Sequence, residues 1–114
     1  MANQTEWHQH TYGELLTLAK KCQDSLGDLS QFFSVLKSKI PSMTVSDRAI
    51  CRQLVDEYND HQSNITLLVD ELGKSQSLPE DEQMMVFETS DDVLSEAIKF
   101  MDLLPSQLSK TSIH

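Results

Sequence analysis

Apolar residues recur along this chain at alternating steps of three and four, the spacing that places side chains on one face of an α-helix. Leu15, Leu18, Cys22, Leu26, Leu29, Phe33, Leu36 and Ile40 draw the first stripe. It predicts a helix from about Tyr12 to Lys39, stopped by Pro41, whose ring disfavours the helical region for the residue before it. Gly27 stands inside this helix, where it costs about 1 kcal/mol relative to alanine and gives the rod a place to bend. Cys51, Leu54, Tyr58, His61, Ile65, Leu68 and Leu72 form the second stripe. Ser46 is read as its cap, because a serine hydroxyl can accept a free first-turn amide, and Asp47 complements the positive end of the helix dipole. Gly73 is read as a left-handed stop, with residues 74–78 as a loop. Met84, Phe87, Asp91, Leu94, Ile98 and Met101 form the third stripe, opened by Pro79 and the acids Glu80, Asp81 and Glu82 and ended by Pro105. Asp91 interrupts that stripe, and Ser90 is the neighbour that would take its place on the buried side.

No strand-period segment or internal repeat competes with this pattern. The expected fold is all-α, an up-down-up three-helix bundle with the shallow crossing angles of coiled-coil seams. Its expected limits are residues 12–105, between a flexible amino-terminal segment, 1–11, and a flexible tail, 106–114. A length of 114 residues suits one such domain.

Charge narrows the partners. The formal charge is -9, from 18 acidic residues against 9 Lys and Arg, so nucleic-acid phosphates and anionic lipid surfaces are disfavoured and a basic protein surface is favoured. Cys22 and Cys51 fall on apolar stripes, where they are expected to act as reduced, small hydrophobes in an intracellular protein. No apolar run is long enough to span a bilayer, and direct membrane insertion is not expected. Asn64-Ile65-Thr66 has the glycosylation pattern but sits in mid-helix and is read as coincidence.

Candidate chemistry is sparse. His8 and His10 have the spacing of a zinc-binding pair but no evident further ligands, so no metal or other cofactor is expected. His61 lies on an apolar stripe and is read as a packed neutral imidazole. Cys51 and His61 are ten residues apart on one helix, about 15 Å, too far for a thiolate–imidazole pair. The acidic pairs Asp56-Glu57, Asp70-Glu71 and Asp91-Asp92 diverge by about 100° around a helix and read as solvated faces. No nucleophile, base and orienting group can be assembled, and the expectation is a chain without catalytic activity.

What remains is surplus apolar surface. Phe32, Val35, Ile50, Leu67, Met85, Val86 and Val93, among others, lie beside the three seams, and a bundle of this size cannot hide every flank. The third helix carries Glu80, Asp81, Glu82, Glu88, Asp91, Asp92, Glu96 and Asp102 against Lys99. An apolar strip with acidic edges suits a partner whose apolar patch is ringed by Lys and Arg. Ubiquitin is one such partner, and amphipathic helices are others.

Residues Leu26 to Leu104 resemble the GAT domain, the three-helix module of GGA- and Tom-type adaptors that act in clathrin and ubiquitin pathways. The likeness rests on Leu26-x-x-Leu29-x-x-x-Phe33-x-x-Leu36, on Asp47-Arg48-Ala49-Ile50-Cys51-Arg52-Gln53-Leu54, and on Ser90-Asp91-Asp92-Val93-Leu94-Ser95-Glu96-Ala97-Ile98. It implies ubiquitin binding in endosomal or endocytic sorting by a cytoplasmic protein recruited to those sites, with ubiquitinated cargo and other trafficking proteins as partners. Carried over by position, Phe32, Ile50, Gln53 and Leu54 would form a first ubiquitin surface. Met84, Glu88 and Asp92 would form a second. Gln53 stands where the family commonly has an acid, and Glu88 where an apolar residue is usual. The alternative expectation is a helical scaffold that docks a partner helix or oligomerises without binding ubiquitin.

Overall fold

The computed structural model describes residues 4–111, and side chains from residue 11 onward. His8 and His10 therefore lie outside the described side chains. The described chain is all-helical, with no strand among these residues. Four α-helices, α1 (Gln4–Asp28), α2 (Ser30–Lys39), α3 (Val45–Ser75) and α4 (Glu80–Leu108), make three rods, because α1 and α2 are successive lengths of one rod. The molecule measures 60 × 21 × 20 Å, so its helices lie along one long axis.

The first rod begins at Gln4, earlier than the Tyr12 expected from its apolar stripe, and it is interrupted at Leu29 rather than at Gly27. There the helix tightens, with the Leu29 amide donating to the Leu26 carbonyl at 3.1 Å, one residue short of the α-helical partner. No glycine has positive φ among the described residues, so Gly27 is an ordinary helical residue and the interruption does not use its freedom. The cause is a side chain inserted from another rod: the Tyr58 hydroxyl of α3 donates to the same Leu26 carbonyl. A short 3-10 turn, Ile40–Ser42, closes the rod at the expected proline.

Helix α3 starts at Val45, and its cap is Thr44, not Ser46. The Thr44 backbone is extended, and its hydroxyl accepts the Asp47 amide at 3.3 Å. Arg48 then reaches back to the carbonyls of Met43, at 3.1 Å, and Pro41, at 3.5 Å, and ties the loop to the helix that follows. At its other end α3 passes through Gly73 to Ser75, so Gly73 is not a left-handed stop. The end is set by tertiary contacts. Ser75 is fully buried, its hydroxyl donates to the Leu72 carbonyl, and its own carbonyl accepts the Gln83 side-chain amide of α4 at 2.9 Å.

Pro79 precedes α4, and Glu80, Asp81 and Glu82 occupy its first turn as anticipated. The helix does not end at Pro105 but continues to Leu108. Proline removes one backbone donor and is costly inside a helix. Here Leu104 is buried, Leu108 packs on the core, and buried Thr111 donates to the Leu108 carbonyl at 2.7 Å, so packing on both sides of the proline carries the helix onward.

All three rods contribute to one core. Leu26, Cys51, Ile65, Leu72 and Leu94 are almost wholly enclosed. An aromatic cluster joins the rods: Phe33 of α2 stacks on Tyr58 of α3 with centroids 4.2 Å apart, and lies 6.2 Å from Phe100 of α4. Ser90 and Ala97 are fully buried on α4, while Met84, Ile98 and Met101 are only partly so. The α4 seam is therefore rotated by about one residue from the predicted stripe, and Ser90 rather than Asp91 faces inward. Small residues permit this, and the Ser90 hydroxyl satisfies itself on the Val86 carbonyl at 2.6 Å.

Candidate functional site

The rotated seam decides which side chains are left facing water. Between α3 and α4 lies an open pocket of about 340 Å³. Helix α3 contributes Asn64, Leu67, Leu68 and Glu71, and α4 contributes Met85, Val86, Thr89, Ser90 and Val93. Leu67 and Met85 stand at its lips, 62% and 67% exposed. These are large apolar side chains held away from the core on long, well-packed helices, over a floor of Leu68 and Val86. Leaving such groups in water forgoes about 25 cal/mol for each Å² of apolar area that a partner could cover.

The second predicted surface sits one position away from this pocket. Met84, Glu88 and Asp92 are each followed by a residue that lines it: Met85, Thr89 and Val93. One residue is about 100° around a helix, so Met84 turns partly into the core and Glu88 and Asp92 lie exposed on the neighbouring face. A stripe drawn through Ser90 and Ala97 would have placed Met85, Thr89 and Val93 on the flank. Their signal in the sequence was the surplus of apolar residues beside the seams.

The first predicted surface is divided. Phe32 is 39% exposed on α2, its ring edge-on to Phe33 at 5.2 Å. Gln53 is exposed and donates to the Glu57 carboxylate at 3.1 Å, and Ile50 is half-buried against the core. Leu54 is buried and lies with Phe100 and Leu103 between α3 and α4. Exposed Val35 stands one turn along α2 from Phe32.

The remaining chemistry is quiet. Cys22 and Cys51 are free and buried. Burial pushes both thiols above their ordinary range, and the Asp47 charge adds to the effect on Cys51, so the thiolate form is disfavoured at both. His61 is half-buried with its ring 4.9 Å from that of Phe100. No group of three His, Cys, Asp or Glu side chains that could hold a metal ion occurs among the described residues. No helix among them is long and apolar enough to cross a membrane. Lys74 and Asp70 form an exposed ion pair at 2.9 Å beside Glu71, and that hydrogen bond raises the Lys74 ammonium above its usual range.

No protein-family profile, no curated protein and no solved structure matches this chain.

Proposed function

We propose that this chain is a non-catalytic docking module of the ubiquitin-adaptor kind, an up-down-up bundle that presents the α3–α4 groove to a partner protein. One observation carries the reading: Leu67 and Met85 are mostly exposed above an apolar floor, with the carboxylate-bearing Glu71 in the same lining. The apolar centre supplies burial, and Glu71 together with the chain's net charge of -9 favours partners with basic edges and speeds their encounter. Ubiquitin has the required chemistry, an apolar patch with cationic neighbours. A cytoplasmic role at endosomes or endocytic sites, with ubiquitinated cargo, follows from the GAT-like residues. The exposed Phe32 and Val35 of α2 offer a second, smaller contact surface.

A pocket of this size buries less than a standard interface, so affinity is micromolar or weaker. Titration of unlabelled ubiquitin into the isotope-labelled chain tests the proposal. Shifts at the amides of Leu67, Met85 and Val93 are expected. An unperturbed spectrum at about millimolar ubiquitin would remove ubiquitin as the partner.

A further inference from the structure

Past Asn64 the α3–α4 groove continues into a second compartment of about 450 Å³, and Asn64 lines both. The chemistry changes at that point. In the second compartment Leu54 and Phe100 are each more than nine-tenths buried, and the His61 ring covers Phe100. Its walls carry the carboxylates of Glu57 and Asp60 from α3 and Glu96 from α4, against the single ammonium of Lys99. In the first compartment Glu71 is the one ionisable residue, and apolar carbon dominates the lining.

A partner that is apolar throughout would strip water from the carboxylates and return nothing to them, while a wholly cationic one would leave Leu67 and Met85 uncovered. We infer that the groove is a two-anchor docking site for a partner protein surface that sets a large apolar side chain against Leu67 and Met85 and a lysine or arginine among Glu57, Asp60 and Glu96. The inference rests on the groove being the docking surface, not on the partner being ubiquitin. The cationic stem lies along the exposed Leu103, and its head meets the carboxylates beside the His61 ring. The linings of the two compartments are centred about eight residues apart on α3 and about twelve on α4, so the anchors are separated by roughly 12 to 18 Å. A second copy of this chain is a poor occupant, because at a charge of -9 its own surface would bring carboxylates to carboxylates.

The test uses the full chain and two synthetic helical peptides that differ at one position. Each carries a leucine, and about eleven residues later, three turns along the same face, either arginine or glutamate. The arginine peptide is expected to shift amides near both Leu67 and His61 and to bind about tenfold more tightly than the glutamate peptide at low salt, with the preference shrinking as salt is added. Replacing the walls together (Glu57→Gln, Asp60→Asn, Glu96→Gln) should reduce that preference to about threefold or less, and Glu96→Gln alone should reduce it partially should the triple variant fail to fold. Leu67→Ser with Met85→Ser should weaken both peptides alike. Equal binding of the two peptides, a preference untouched by the wall variants, or no binding of either peptide overturns the inference. Ubiquitin titrated in parallel separates the two readings: arginine-peptide binding without ubiquitin binding leaves the two-anchor site standing and removes ubiquitin, and the reverse removes the two-anchor site alone.

Discussion

The hydroxyl of Tyr58 donates to the carbonyl of Leu26, a residue 32 positions earlier in the chain, beside the break at Leu29 where α1 gives way to α2. The same ring stacks on Phe33, four residues beyond the break at Leu29. Tyr58 therefore touches both lengths of the rod, satisfying a carbonyl of α1 and covering a ring of α2. The break between them falls where α3 packs against the rod.

Tyr58→Phe keeps the stack and removes the hydrogen bond. The Leu26 carbonyl still accepts the Leu29 amide, so the cost is expected to be about 1 kcal/mol, a loss of about 4 °C in Tm. Urea unfolding followed by circular dichroism measures it. An unchanged midpoint would show that the bond contributes nothing to stability.

Alkaline pH should destabilise the fold. Burial raises Cys22, Cys51 and Tyr58 above their ordinary values of 9.0, 9.0 and 10.0, so the folded state holds these protons more tightly than the unfolded chain. Their contribution is fully present below the unfolded values and is lost as pH rises through the folded ones. Stability should begin to fall above about pH 9, and Tyr58→Phe should flatten the part of the decline above about pH 10. Denaturant midpoints across that range test the sign, since a rise in stability there would contradict the burial seen at all three groups.

Gly73→Ala separates the two readings of that position. A left-handed stop would make alanine destabilising, whereas a helical glycine with nothing within 4 Å of an added Cβ should gain about 0.5–1 kcal/mol. Gly27→Ala meets the same open space and is expected to stabilise by a similar amount. Thermal melts of the single and double variants should show two gains that add, because the sites lie on different rods.

The cap at the start of α3 offers a paired comparison. Thr44→Ala removes the acceptor for the Asp47 amide and should cost about 1 kcal/mol, while Ser46→Ala, at an exposed helical position, should change stability by less than about 0.5 kcal/mol. Equal losses in chemical denaturation would return the cap to Ser46.

Leu67→Ser together with Met85→Ser should leave the unfolding midpoint within about 1 kcal/mol of the parent, since both side chains are mostly in water already. The same double variant should lose ubiquitin-induced shifts at Val93. A variant that unfolds would show that these residues support the core rather than a partner.

Much of the architecture was legible in the sequence because helical periodicity is a local property. On α3, Cys51, Leu54, Tyr58, Ile65, Leu68 and Leu72 are all buried as their spacing required. On the first rod, Cys22, Leu26, Phe33, Leu36 and Ile40 are buried likewise, although Ala19 takes the enclosed place expected of its neighbour Leu18. The acids opening α4 and the turn at Pro41 also stand where dipole and ring sterics put them.

Other features depend on residues distant in the chain. The break at Leu29 goes with Tyr58, the end of α3 with Gln83, and the passage through Pro105 with packing around Leu104 and Leu108. The groove register was also decided only in three dimensions. Periodicity gives the period of a helix face but fixes its phase poorly where small residues share the seam. Ser90 and Ala97 let α4 approach closely and turn Asp91 outward, so Met85, Thr89 and Val93, rather than Met84, Glu88 and Asp92, face the groove. By itself, then, the sequence determined an acidic set of helical rods with more apolar surface than one core can enclose. Which of that surface stays open was settled by side-chain packing, because burial of a residue depends on the size of what faces it across the interface.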